Sequence, residues 1–143
     1  MTFISGQIVA LMTFIIALFV PVNHVANVTS DNGGASIAAT GCVDGLPSLW
    51  LTDAAGATAV IHEAIHAADC ARDGRLDGLE EYPRPRTWAE ARALWPDATP
   101  YCWTGQRQTS TDPSKWTIHP FARAEWSACY GAYLAMSHAV AAR

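Results

Sequence analysis

A basic surface is the first thing this 143-residue chain lacks. Lys and Arg number 9 against 13 Asp and Glu, the net charge is −4, and the basic residues are scattered. With an isoelectric point near 5.6, nothing gathers to neutralise a phosphate backbone, so nucleic acid is not an expected partner. No two of the four cysteines have C-x-x-C spacing, which argues against zinc held by four thiolates. No internal repeat is visible, and repeat architectures are set aside with it. Residues 1–7 contain no Lys or Arg, the basic start that a secretory signal peptide normally has. The length allows one domain at most.

What is present begins with an apolar run, IVALMTFIIALFVPV over residues 8–22. Counted from Phe3, the uncharged stretch reaches about twenty residues, near the span of a bilayer. Residues 1–22 therefore read as a signal peptide or a membrane anchor; Pro21 and the shortness of the run favour cleavage. Either way the rest is expected outside the cytoplasm, touching membrane only through this segment if it stays attached. Cys42, Cys70, Cys102 and Cys129 fit that compartment as two disulfides. Residues 23–41, rich in Asn, Ser, Thr, Gly and Ala, read as a flexible leader, and residues 42–143 as the domain.

The densest chemistry lies in His62-Glu63-Ala64-Ile65-His66, an H-E-x-x-H motif among good helix formers. Residues four apart stack on one helix face, so the two imidazoles aim at one point. Converging imidazole nitrogens suit Zn2+, and Glu63, one step off the ligand row, can face a metal-activated water as general base. An ordinary pair of surface or core histidines is the competing reading. Val60, Ile61, Ala64, Ile65 and Ala68 weigh against it, because polar groups set into an apolar helix need partners.

Thr52-Asp53 offers a start for this helix and Gly74 a left-handed stop. Before it, residues 46–51 are a strand beside the site or a buried loop. After it, residues 74–116 are broken by five prolines. One short helix stands out there, opened by the capping box Thr87-Trp88-Ala89-Glu90 and halted by Pro96. The remainder reads as loop held by aromatic packing and a disulfide. Pro120 then opens a long helix to about Ala142. Inside it Glu125 sits among Ala122, Ala124, Trp126, Ala128 and Cys129, where a lone carboxylate is costly without a cation. That cation is Arg123 or Arg72 in a salt bridge, or a metal for which Glu125 is the third ligand. Cysteine pairing follows the helix directions. Parallel helices would bridge Cys70 to Cys129; antiparallel ones would send both to Cys42 and Cys102.

These residues resemble the gluzincin metallopeptidases, and more closely the group built like the catalytic domain of anthrax toxin lethal factor. In that group the first motif extends to H-E-x-x-H-x-x-D, matched here by His62 to Asp69, and a later helix carries E-x-x-A, matched by Glu125-Trp126-Ser127-Ala128. The resemblance covers under half of the chain. It implies an α+β, mainly helical, minimal zincin-like domain with an active-site helix and a C-terminal ligand helix. It implies Zn2+ on His62, His66 and Glu125, Glu63 as general base, and Asp69 as a carboxylate behind the ligands or packing the helix. The family places a tyrosine several residues before the ligand glutamate to stabilise the oxyanion. None occurs there in this chain, and His119 is the nearest candidate donor. The function expected is an exported zinc metallopeptidase acting on a peptide or protein substrate. The alternatives are a catalytically silent, membrane-anchored zinc-binding module and a zinc hydrolase of cell-wall peptide cross-links.

Overall fold

The computed structural model describes residues 20–29 and 35–141. Nearly all of the segment expected as a signal peptide or anchor lies outside the described residues, among which no helix is long and apolar enough to cross a membrane. The fold is α+β. In chain order it runs β1 (Val22–His24), β2 (Val28–Thr29), β3 (Ala35–Ser36), β4 (Ala38–Val43) and β5 (Leu46–Leu51). Then follow α1 (Ala57–Asp73), α2 (Trp88–Leu94), α3 (Pro100–Thr104), a 3-10 turn (Pro113–Lys115) and α4 (Ala122–Ala141).

The flexible leader expected over residues 23–41 is a correction in its described parts, residues 23–29 and 35–41, which carry strands. β1 pairs in parallel with β5, and β4 pairs antiparallel with β5, placing Thr40 opposite Leu49 in a sheet ordered β1-β5-β4. The signal for this hairpin lies in Asp44-Gly45. Both residues have positive φ, 52° and 76°, the conformation a two-residue hairpin turn requires and one that Asp-Gly adopts readily. Residues 46–51 are accordingly a strand. Leu49 and Leu51 are buried at 1% and 4% exposure, each worth about 1.5–3 kcal/mol on leaving water. They face inward as alternate residues, and Leu51 packs with Ala38 and Val60.

α1 begins three residues later than Thr52-Asp53 suggests. Thr52 is engaged elsewhere: its N–H and its hydroxyl both donate to the Ile37 carbonyl, at 3.0 and 2.7 Å. Gly56, in extended conformation, precedes the helix instead, and Gly74 ends it in the left-handed region as expected. At α2 the Thr87 hydroxyl accepts from the Glu90 N–H at 3.1 Å, the capping bond expected. The proline-rich stretch holds one more helix than expected. Thr99 caps α3 through the Cys102 N–H, with Pro100 in its first turn, a pairing that sequence rules favour. α4 starts at Ala122, after the Ala122 N–H bonds to the His119 carbonyl at 2.9 Å.

A second core of indoles holds this C-terminal half. Trp126 is fully buried and packs with Trp103, Ala91 and Ala98, with Trp88, Trp95, Trp116 and Tyr130 around them. The Trp103 indole donates to the Pro85 carbonyl at 2.9 Å, and Arg84 lies 4.2 Å over the Trp103 ring. The disulfides are Cys42–Cys70 and Cys102–Cys129. They close spans of 28 and 27 residues, each removing about 3–4 kcal/mol of unfolded-chain entropy in the loop-closure picture. This is the antiparallel alternative. The start of α4 lies beside the loop that leaves the end of α1: a Cβ on Gly78 would stand 2.9 Å from the Arg123 carbonyl, and the Gly78 N–H donates to Asp69. Cys129, a turn beyond Glu125, lies by His62 nearer the start of α1. The helices meet closely: a Cβ on Gly131 would stand 2.7 Å from Ile65 Cδ1.

Candidate metal centre

The site forms where α1 and α4 cross under β4. α1 supplies His62, Glu63 and His66, and α4 supplies Glu125 from its first turn. Both imidazoles meet the same carboxylate. His62 Nε2 lies 3.2 Å from Glu125 Oε2, and His66 Nε2 lies 2.9 Å from Oε1. Neither Arg123 nor Arg72 takes up Glu125 in the described ion pairs; Arg72 turns to Asp69 and Asp77, at 3.8 and 3.9 Å. The salt-bridge reading of Glu125 therefore has no arginine behind it.

Two observations bear on whether a metal fits. Bonds of about 2.0–2.1 Å in a tetrahedron set neighbouring donor atoms about 3.3 Å apart, and the N···O separations here are 2.9 and 3.2 Å, each imidazole facing a different oxygen of Glu125. The donor atoms clustered within 4.8 Å are those of His62, Glu125 and Cys129, without His66. Glu125 Oε2 is also walled off from solvent with no hydrogen bond, since the His62 contact lacks hydrogen-bond geometry. An enclosed carboxylate oxygen facing an imidazole is what a cation would cap. The donor set, two nitrogens and a carboxylate, is one that zinc takes.

The electrostatics are those of a carboxylate paired with two imidazoles. Burial pushes the Glu125 carboxyl up, but His62 and His66 more than offset it and hold it well below the usual carboxylate range. Burial pushes His66 down, and the hydrogen bond and charge of Glu125 more than restore it, so its imidazole keeps a proton more readily than usual. His66 Nδ1 is enclosed without a partner, so the ring's polar engagement is all on the Glu125 side.

Glu63 is buried and is held from above. The Thr40 hydroxyl on β4 meets its carboxylate Oε2 and lies 3.0 Å from its backbone carbonyl. Thr40 thus orients the candidate base, a role hidden while its segment reads as leader. Asp69 serves as a packing carboxylate. Its Oδ2 accepts the Gly78 N–H at 2.8 Å, while Ser127 Oγ accepts the Leu79 N–H at 2.9 Å, so this loop straps α1 to α4.

A cleft of about 450 Å³ opens over the site, lined by Thr40, His62, Glu63, His66 and Glu125, and also by His119, Phe121 and Tyr101. The His119 N–H donates to the Thr104 carbonyl at 2.7 Å, and its Nδ1 accepts the Phe121 N–H at 3.0 Å. That bond leaves Nε2 as the ring's donor. Tyr101 escapes sequence reasoning; it is carried there because its neighbour Cys102 is bonded to Cys129 on α4. The Cys129 sulfur, one donor atom of His62 and one of Glu125 all lie within 4.8 Å of one another. In a disulfide, however, that sulfur is not the thiolate a metal binds. No known protein family, curated protein or solved structure matches the chain.

Proposed function

We propose that this protein is an exported zinc metallopeptidase of gluzincin type, with His62, His66 and Glu125 as ligands and Glu63 as general base. The observation that carries the proposal is the meeting of both motif imidazoles on one buried carboxylate from a distant helix. Two disulfides support a place outside the cytoplasm. Among the described residues β4 has a partner strand on one side only within its sheet, and residues 38–40 line the cleft. An extended peptide is the substrate that such an edge can pair with.

Held by His62, His66 and Glu125, zinc would supply Lewis-acid chemistry, polarising a carbonyl and lowering the pKa of water toward neutral. Glu63 is the group placed to accept a proton from the attacking water and return it to the departing amine. Thr40 holds Oε2 of the carboxylate, which leaves Oε1 for the transfer. His119 donates from Nε2 to the carbonyl oxygen as negative charge builds there, the task the family gives to tyrosine; preorganised donors of this kind are worth about 10²–10³ in rate. Tyr101, Phe121 and Ile37, all solvent-exposed, give the cleft an apolar rim against which a substrate side chain can pack.

Glu63→Gln tests the proposal. The variant should keep one zinc per chain and lose peptide hydrolysis by at least about 10²-fold, the low end for a positioned general base. Full hydrolysis by zinc-loaded Glu63→Gln would overturn it.

A further inference from the structure

The Cys102–Cys129 disulfide adjoins the metal centre. Cys129 follows Glu125 by one turn of α4, so both side chains project toward α1 from the same face. Its sulfur shares a 4.8 Å cluster with donor atoms of His62 and Glu125, and the residue is 8% exposed. We propose that this disulfide is a redox gate: once it is reduced, Cys129 becomes a fourth metal ligand and closes the coordination position that hydrolysis uses. The gate rests on the reading above that His62, His66 and Glu125 hold a metal.

The reach is short. In a tetrahedral site a sulfur at about 2.3 Å from zinc stands about 3.6 Å from the nitrogen and oxygen donors. From the His62 and Glu125 donors, at most 4.8 Å away, the sulfur has to close by on the order of 1 Å, within one rotation about Cα–Cβ. The bond to Cys102 holds it back until it is cut. Three protein ligands with one open position make a catalytic zinc site, whereas four make a closed, structural one. Reduction would turn the first kind into the second.

The reductant is a dithiol. One of its thiolates attacks Cys102 Sγ, the Sγ–Sγ bond breaks, and Cys129 leaves as a thiolate with the bonding pair. The second thiol then displaces Cys102 and closes the reductant into its own disulfide. Two electrons have passed to the protein. Of the two protons released by the dithiol, one goes to the Cys102 thiolate and the other to solvent, because Cys129 stays deprotonated on the metal. The gate would keep the chain silent in a reducing compartment and open it when the disulfide forms after export. Cys42–Cys70 ties β4 to the C-terminal turns of α1 and belongs to no donor cluster among the described residues.

Cobalt-loaded full-length protein provides the test, because a thiolate ligand adds a near-ultraviolet charge-transfer band that carboxylate and imidazole do not. Oxidised wild type should bind one cobalt without the band. Cys102→Ser, which frees Cys129 without any reductant, should show the band, hold cobalt more tightly and lose hydrolysis. The double variant Cys102→Ser/Cys129→Ser should lose the band again. Should Cys102→Ser fold poorly, folded cobalt-loaded wild type titrated with dithiol gives the same reading, with Cys129→Ser as the silent control. Cobalt bound without the band in both Cys102→Ser and reduced wild type overturns the gate and leaves the metal centre standing. No cobalt bound by any form overturns the metal centre, and the gate with it.

Discussion

Replacing Thr40 by Val removes one hydroxyl and little else. Val is nearly isosteric, and as a β-branched residue it suits β4 as well as Thr does. The lost group is the one on β4 that meets the Glu63 carboxylate. A hydrogen bond to an ionised group contributes about 1.5–3 kcal/mol, and each 1.4 kcal/mol is about tenfold in rate. If the bond chiefly aligns Glu63 for proton transfer, kcat/KM should fall by about 10–100-fold. Zinc content should not change, because His62, His66 and Glu125 are untouched. Peptide-cleavage kinetics on zinc-quantified protein measure both quantities. Thr40→Ser, which keeps the hydroxyl, should recover most of the rate. Wild-type kcat/KM in fully loaded Thr40→Val would refute Thr40 as the residue that positions the base. Loss of zinc alongside activity would refute the division between ligands and base.

Two further outcomes follow from the same geometry. His119→Ala should lower kcat by about 10²–10³-fold, the usual cost of one oxyanion donor. KM and zinc content should move little, and an unchanged kcat would remove His119 from the mechanism. The protein stripped of metal by a chelator should be most stable between about pH 4.5 and 6.5. Glu125, held below its ordinary value of 4.5, contributes stability above that value and loses it as pH falls through its lower folded pKa. His66, held above its ordinary 6.5, contributes fully below that value and loses it as pH rises through its raised folded pKa. Thermal melts across pH, with a Tm still climbing beyond pH 8 in chelator, would contradict this pairing.

The parts of the molecule that could be read from the sequence are those governed by local spacing. The i, i+4 repeat of His62 and His66, the Gly74 stop and the Thr87 cap each depend on residues within a turn or two. Glu125 could be singled out because a carboxylate among alanines and tryptophan needs a cation wherever it lies. β4 was hidden because Ala38, Ala39, Thr40 and Gly41 carry no alternation of large apolar side chains, and the strand exists through its pairing with β5. Asp44-Gly45 was the local mark of that hairpin. Thr40 and Tyr101 were beyond reach for a different reason. Their roles arise only when the sheet lies over α1 and when a disulfide draws α3 against α4, contacts that no spacing encodes. The disulfide pairing turned on the relative direction of two helices separated by the proline-rich stretch, which local patterns leave open.

Metal stoichiometry and affinity, measured on purified protein with and without the Glu125 carboxylate, bear most directly on the centre. Wild type is expected to hold one zinc per chain, and Glu125→Ala to lose at least about 10²-fold in affinity while its far-ultraviolet circular dichroism stays the same. Zinc bound equally tightly by both proteins, or by neither, would show that the two imidazoles and this carboxylate do not enclose an ion together.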